Sequence, residues 1–438
     1  MQTVRRPTLD ERRAEGRALR DRLSRKDQAD WKPAFDRPDA VSVLTAAVRG
    51  RDEDALPIRW ARMAASPFYF FRGNAALMAW DLGRTPTTGL LSQLCGDPHI
   101  LNLGAFAAPD GDLIFDLNDF DETCRGPWEW DLKRMVVSII LGGVDAGHGS
   151  ESCLDAVRSC VESYRMALHR YAELGAADLA RASLAPVDGH QTLGPIFEKA
   201  ARDTPTKLFE KAMDPERRTF LELPPGLRPL DERDSRPFLS AVAEYQHTLN
   251  PAWRQAFSRY TPTAFGRRIS GCGSLGVRNV LMLCEGHGSE DLLFLEFKAQ
   301  PGSAWAAYTE PDPETHRGQA VSSGQQRLQT WSDPFLGWTT VDEAPYLVKQ
   351  WSNHKASLST EDLKGDELEA YARICGTILA KGHARSGDSA RLSGYVGHST
   401  NLDEAMAAFA TVYASQVLQD WEALKAAIRA GQLEATED

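Results

Sequence analysis

Residues Cys95–Asp131 read CGDPHILNLGAFAAPDGDLIFDLNDFDETCRGPWEWD, and the rest of the chain is organised around them. The apolar run Gly89–Leu94 leads into Gly96-Asp97-Pro98-His99, with Asn102 five residues after Asp97. A short strand, Leu113-Ile114-Phe115, then delivers Asp116, followed by Asp119 and Asp121. An Asp-x-x-x-x-Asn loop followed by a strand that ends on Asp suits metal-assisted phosphoryl transfer. One Asp accepts or orients a proton, while an Asn and further carboxylates hold Mg²⁺ against phosphates. A neutral oxygen beside hard anionic ones suits Mg²⁺ better than Zn²⁺. The same spacing also fits a polar loop followed by an acidic hairpin, because such spacings recur by chance.

The stretches GDPHILN, FDLNDFD and PWEWDL carry a resemblance. The first is similar to the GDxHxxN loop of aminoglycoside phosphotransferases and related small-molecule kinases. The second is similar to their metal-binding strand, and the third to the Asp that begins their next helix. The resemblance implies that Asp97 and His99 are catalytic and that Asn102, Asp116 and Asp119 are metal ligands. Cys95 stands where those enzymes usually carry His. Together with SPFYFFRG and PWEWDLKR, these stretches also resemble, over nearly the full length, a bacterial family catalogued as domain of unknown function 2252. That name implies no activity.

The composition of the 438-residue chain, 42% hydrophobic and 25% charged, is that of a globular protein. A net charge of −11 disfavours broad nucleic-acid binding. Seven scattered Cys with no CxxC pair fit free thiols in a reducing cytoplasm. The N-terminus lacks an apolar secretory stretch, and no apolar run is long enough to span a membrane. A cytoplasmic protein with neither nucleic-acid nor membrane partners is expected. Residues 8–26 interleave Arg and Glu and predict a solvated helix. Four successive aromatics precede Arg72, which suits either a phosphate or carboxylate contact or a structural ion pair. Asp131, near a helix start, is expected to hold the loop by accepting its N–H groups.

Residues 151–260 predict amphipathic helices, either a substrate-binding cap or plain scaffold. Residues 264–300 turn to strands, with the Gly-rich segment Ser270-Gly271-Cys272-Gly273-Ser274-Leu275-Gly276 between the first two. Such a turn can cradle phosphates, though hairpins also use Gly routinely. The third strand ends on Lys298. Strand, Gly-rich turn, strand and a strand with Lys resembles the order in a kinase N-lobe, whose Lys pairs the nucleotide phosphates. In that resemblance Ser270, Gly271, Gly273, Ser274, Gly276 and Lys298 bind nucleotide. Gln350 and Trp351 form the hinge that takes adenine, and Glu314 or Gln325 partners the Lys. His383 ends a helix beginning at Glu367, as a structural residue or a substrate contact.

The catalytic loop precedes the Gly-rich part, the reverse of kinase order. A circular permutation unites them, because a site depends on convergence in space and not on chain order. The expected fold is α+β and bilobal, protein-kinase-like and circularly permuted. Residues 1–261 supply a helical lobe with the loop and metal strand, 151–260 being its insertion. Residues 262–352 supply a small antiparallel sheet, and 353–438 supply the closing helices. The expected function is ATP- and Mg²⁺-dependent phosphoryl transfer to an unknown small-molecule or protein acceptor. AMP transfer to a protein, a non-catalytic nucleotide-binding module and a metal-dependent hydrolase are the alternatives. Retention of every expected carboxylate argues against the module.

Overall fold

A computed structural model describes residues 5–183, 190–223, 226–269, 271, 273–288, 290–351 and 354–436. It is an α+β protein whose sheets are all antiparallel. The largest apolar core is helical and is contributed by both ends of the chain. Its centre is the pair of helices Ser150–Ala172 and Glu367–Ser386, with Trp128–Asp145 and Asn401–Arg429 packed around them. Buried residues such as Leu132, Met135, Val136 and Ile139 recur at helical spacing, which gives Trp128–Asp145 the broad apolar face that binds it to this core.

The helix Leu9–Ala18 is solvated along its charged residues, as its pattern predicts, and only Gly16 in it is buried. Thr8 and Glu11 cap it reciprocally, and it lies on the helix Ser389–Val396, tied there by Arg12 to Asp388 at 2.7 Å. Among the aromatics after Ser66, Phe68, Phe70 and Phe71 are buried in the short helix Pro67–Arg72.

A six-stranded sheet carries the second layer. In spatial order its strands are Gly337–Val341, Ala344–Gln350, Leu292–Ala299, Asn279–Glu285, Thr261–Arg268 and Leu227–Pro229. Strand alternation sorts its side chains. Leu293, Leu295 and Phe297 join one apolar cluster with Phe238 and Tyr245 of the helix Glu232–Thr248. Leu292 and Phe294 face the other way, and Glu296 and Lys298 share their parity. The helix Arg317–Leu328 packs beside the strands Ala344–Gln350 and Gly337–Val341.

The expected 151–260 cap is therefore not one unit. Its first helix belongs to the helical core, while Leu227–Pro229 and Glu232–Thr248 belong to the sheet layer, because their apolar faces match different partners. The six described cysteines are buried free thiols. No helix among the described residues is long and apolar enough to cross a membrane.

Candidate functional site

Two short pieces of sheet hold the central loop. Leu91–Leu94 pairs with Cys124–Pro127, and the hairpin Leu103–Ala107/Leu113–Leu117 is joined by Ala356–Ser357. Gly96 turns the chain with φ of +83°, and a Cβ there would lie 2.2 Å from the Glu122 carbonyl, so only glycine fits. Asp131 takes the N–H groups of Cys95 at 2.7 Å and Gly96 at 3.0 Å, the loop-holding arrangement expected of it. Behind it lies a buried relay that spacing did not reveal. His383 Nε2 is 3.4 Å from Asp131, and its Nδ1 is 2.9 Å from the Tyr164 hydroxyl. His383 is fully buried against the loop's anchor and does not line the cavity in front of the Asp97 loop.

Arg134, buried one helical turn beyond Asp131, donates its Nε to the Asp97 carboxylate at 2.5 Å and an Nη to the Phe71 carbonyl. Burial still outweighs this cation at Asp97, and with the Glu122 and Asp119 charges it pushes the carboxyl up to about 7. His99 is 7% exposed, edge-on to Phe68, and its Nδ1 has no partner among the described residues. Burial, reinforced by the Arg72 and Arg134 charges, holds its imidazole well below the usual range and hence neutral.

The side chains of Asn102 and Asp116, the expected metal ligands, are engaged within the protein. Asn102 clamps two loops. Its Nδ2 donates to the carbonyls of Asp97 at 2.8 Å and Asp119 at 3.1 Å, and its Oδ1 accepts the Asp119 N–H at 2.8 Å. Asp116 is buried in an ion pair with Lys381, both side chains 3% exposed, and does not line the cavity. Asp116 sits at the end of its strand and its side chain joins the helical core. Of the carboxylates on and just after this strand, Asp119, Asp121 and Glu122 reach the cavity.

The sheet layer meets this segment directly. Lys298, 7% exposed, lies 3.6 Å from Asp119 and is also ion-paired with Asp121. Gln300 donates to Asp121 at 3.0 Å, and Arg317 donates to the carbonyls of Asp121 and Thr123. The lysine outweighs burial at Asp119 and holds that carboxyl low, at about 2. Its own ammonium is held above its ordinary range by the same pair of carboxylates. Neither expected helix partner reaches Lys298. Glu314 bonds Arg327 at 2.8 Å and Gln325 bonds Gln329 at 3.0 Å, so the Asp119–Asp121 segment takes that place.

A cavity of about 650 Å³ opens in front of these groups. Asp97, His99, Asp119, Asp121 and Glu122 line one side, Arg51, Arg59 and Arg72 another, and Val43, Ala46, Trp80 and Tyr308 supply apolar wall. Gly271, Gly273 and Ser274 also line it, while Ser270 lies outside the described residues. The turn is pinned from the N-terminal helices. Arg51 and Arg59 each donate to the Gly273 carbonyl at 2.6 Å, Arg62 donates to that of Gly271, and the Asp52 N–H meets that of Gly276 at 2.9 Å. Arg72 spreads over the Phe68 and Tyr69 rings, its Nε buried without a partner among the described residues.

The main-chain N–H groups of the expected hinge are engaged within the protein. The Gln350 N–H is taken by Asp333 at 2.5 Å and the Trp351 N–H by the Phe294 carbonyl at 2.9 Å. Trp351 packs its ring on Phe294, and neither residue lines the cavity.

Among the described residues no group of three or more His, Cys, Asp or Glu side chains is arranged to hold a metal ion. Two carboxylates with an open cavity are a donor set for an ion that completes its sphere with phosphate oxygens and water, as Mg²⁺ does. No curated protein and no solved structure matches the chain. Residues 51–427 match the model of a family described as uncharacterized protein conserved in bacteria (DUF2252), and the chain belongs to that family.

Proposed function

We propose that the chain is an ATP- and Mg²⁺-dependent phosphotransferase built on a bilobal, circularly permuted protein-kinase-like fold. The observation that carries this reading is the reach of Lys298 from the sheet layer to Asp119 and Asp121, which share one cavity with Asp97 and with Gly271, Gly273 and Ser274 of the Gly-rich turn. A hydrolase built on the carboxylates alone needs neither the turn nor the lysine.

In this reading Asp97 accepts the proton of an acceptor hydroxyl. Its elevated proton affinity suits it to that task near neutral pH. Arg134 fixes the carboxylate's direction, and Asn102 holds Asp97 and Asp119 in register. Asp119 and Asp121 present hard oxygens toward the phosphates, and Lys298 neutralises phosphate charge. Mg²⁺, when bound, supplies charge neutralisation on the transferring group. Asp116 and Asn102 take structural roles, and Gln350 and Trp351 are assigned no nucleotide contact. The acceptor, a small molecule or a protein side chain, enters the 650 Å³ cavity, whose Val43, Trp80 and Tyr308 surfaces suit an apolar portion.

Product analysis with α- and γ-labelled ATP tests the reading. Phosphoryl transfer leaves ADP and labels the acceptor from the γ position. Pyrophosphate with α-label on a protein identifies AMP transfer instead, and the absence of both products with any acceptor identifies a binding module.

A further inference from the structure

A second cavity of about 740 Å³ lies away from the Asp97 loop, between the helix Leu9–Ala18, the turn after it, the helix Ser150–Ala172 and residues 393–399. Arg17, Arg20, Arg25, Arg170, His169 and His398 line it. Its acidic lining is Asp10 and Glu173, and Glu173 is ion-paired with Arg13. Arg17, Arg20, Arg25 and Arg170 make no ion pair among the described residues. This is a concentration of positive charge on a chain whose net charge is −11.

The guanidiniums are placed and not merely solvated. Arg20 donates to the carbonyls of Tyr395 at 2.9 Å and Gly394 at 2.5 Å, and Arg25 to that of Val396 at 3.0 Å. Gly397 has φ of +65°, and a Cβ there would stand 2.5 Å from Arg20 and 2.8 Å from Arg25, so a glycine admits both cations. Burial first, and then the Arg25 and Arg17 charges, weaken the hold of Arg20 on its proton. His169 and His398 stack at 4.0 Å, with His169 fixed between the Gly397 carbonyl and the Ser393 hydroxyl. Arginines in a concave setting match phosphate oxygens by paired N–H donors. Four unpaired cations exceed what one phosphate can neutralise, and a cavity of this size takes a small molecule, not an extended polymer.

We propose that this cavity binds a small anion carrying two or more adjacent phosphate groups. Arg17, Arg20 and Arg25 precede residues 51–427, which the family model matches, so three of the four cations without an ion pair among the described residues come from the N-terminal segment. The proposal does not depend on the reaction at Asp97.

Titration calorimetry of the full chain with inorganic tripolyphosphate at low salt tests it. Arg17→Ser combined with Arg170→Ser removes two exposed guanidiniums and should weaken binding by roughly tenfold or more. His398→Glu, which sets a carboxylate at the rim, should weaken it similarly. Lys298→Met should leave it unchanged. Metal-free ATP in place of tripolyphosphate, titrated into the Lys298→Met chain so that the Asp97 cavity is weakened, separates a nucleotide from an inorganic chain, and binding of either that the Arg17/Arg170 double variant weakens supports the site. Failure of both to bind the parent chain, equal binding by the variants, loss of binding in Lys298→Met, or orthophosphate binding as tightly as tripolyphosphate would each overturn it.

Discussion

Lys298 of the sheet layer lies 3.6 Å from the Asp119 carboxylate, which stands seventeen residues beyond Asn102 in the helical half of the chain. This contact joins the sheet layer to the segment that Asn102 ties to the Asp97 loop, and substitution at Lys298 examines it directly. Lys298→Met removes the cation and leaves Asp119 and Asp121 facing each other. ATP·Mg²⁺ turnover should fall by roughly 10²-fold or more, the scale of losing one electrostatic group aimed at the reacting charge. Circular dichroism should show the parent fold. Turnover equal to the parent's would remove Lys298 from the site.

Asp97→Asn keeps the hydrogen-bonding shape beside Arg134 and removes the proton acceptor. Turnover should drop roughly 10²–10⁴-fold, with ATP binding retained. The folded carboxyl titrates at about 7, above its ordinary value, so folding favours its neutral form. Its contribution to stability is full below the unfolded value and lost as pH rises through about 7. At pH 8 Asp97→Asn should therefore melt no lower than the parent, and a clear drop in melting temperature would contradict the burial argument.

The same group sets a pH dependence. Below about pH 7 the Asp97 carboxyl is protonated and cannot accept a proton, so kcat/KM should climb about tenfold per pH unit and level off above 7. Asp119, held near 2 by Lys298, stays ionised throughout. A profile flat from pH 5 to 8 would exclude Asp97 as the base.

Asp116 and Asp121 should separate cleanly. Asp116→Ala leaves the Lys381 ammonium buried and unpaired, which typically costs about 3–5 kcal/mol, so the variant should melt well below the parent. Asp121→Asn keeps a side chain of the same shape at the cavity edge and should keep the fold while raising the Mg²⁺ concentration needed for turnover. A stable Asp116→Ala protein with altered Mg²⁺ dependence would reverse the two assignments.

Asp131→Ala strands the Cys95 and Gly96 N–H groups, each worth roughly 1–3 kcal/mol when buried and unpaired. It also releases the loop that aims Asp97. Lower stability and lower kcat are both expected. Tyr164→Phe, which removes only the hydroxyl on His383, should give a smaller effect of the same sign, measured by denaturant melts and initial rates.

The amino-acid sequence by itself determined the elements and the loop. β-Branched and aromatic residues marked the strands between Thr261 and Gln350, helical spacing marked Glu367–Ser386 and Asn401–Arg429, and Asp131 near a helix start marked the residue that holds the Gly96-Asp97 loop. These are local properties, because a strand's faces, a helix's stripe and a glycine's φ depend on near neighbours. Only the tertiary structure decided which carboxylate faces the cavity. Asp116, Asp119 and Asp121 are alike in a string of letters, but Lys381 claims the first and Lys298 the other two. It also decided that the Gln350 and Trp351 N–H groups are spent within the protein, and that Arg17, Arg20 and Arg25 meet Arg170 across one cavity. Charges pair with whatever the fold brings within a few ångströms, and that proximity joins residues hundreds of positions apart, beyond the reach of any spacing rule.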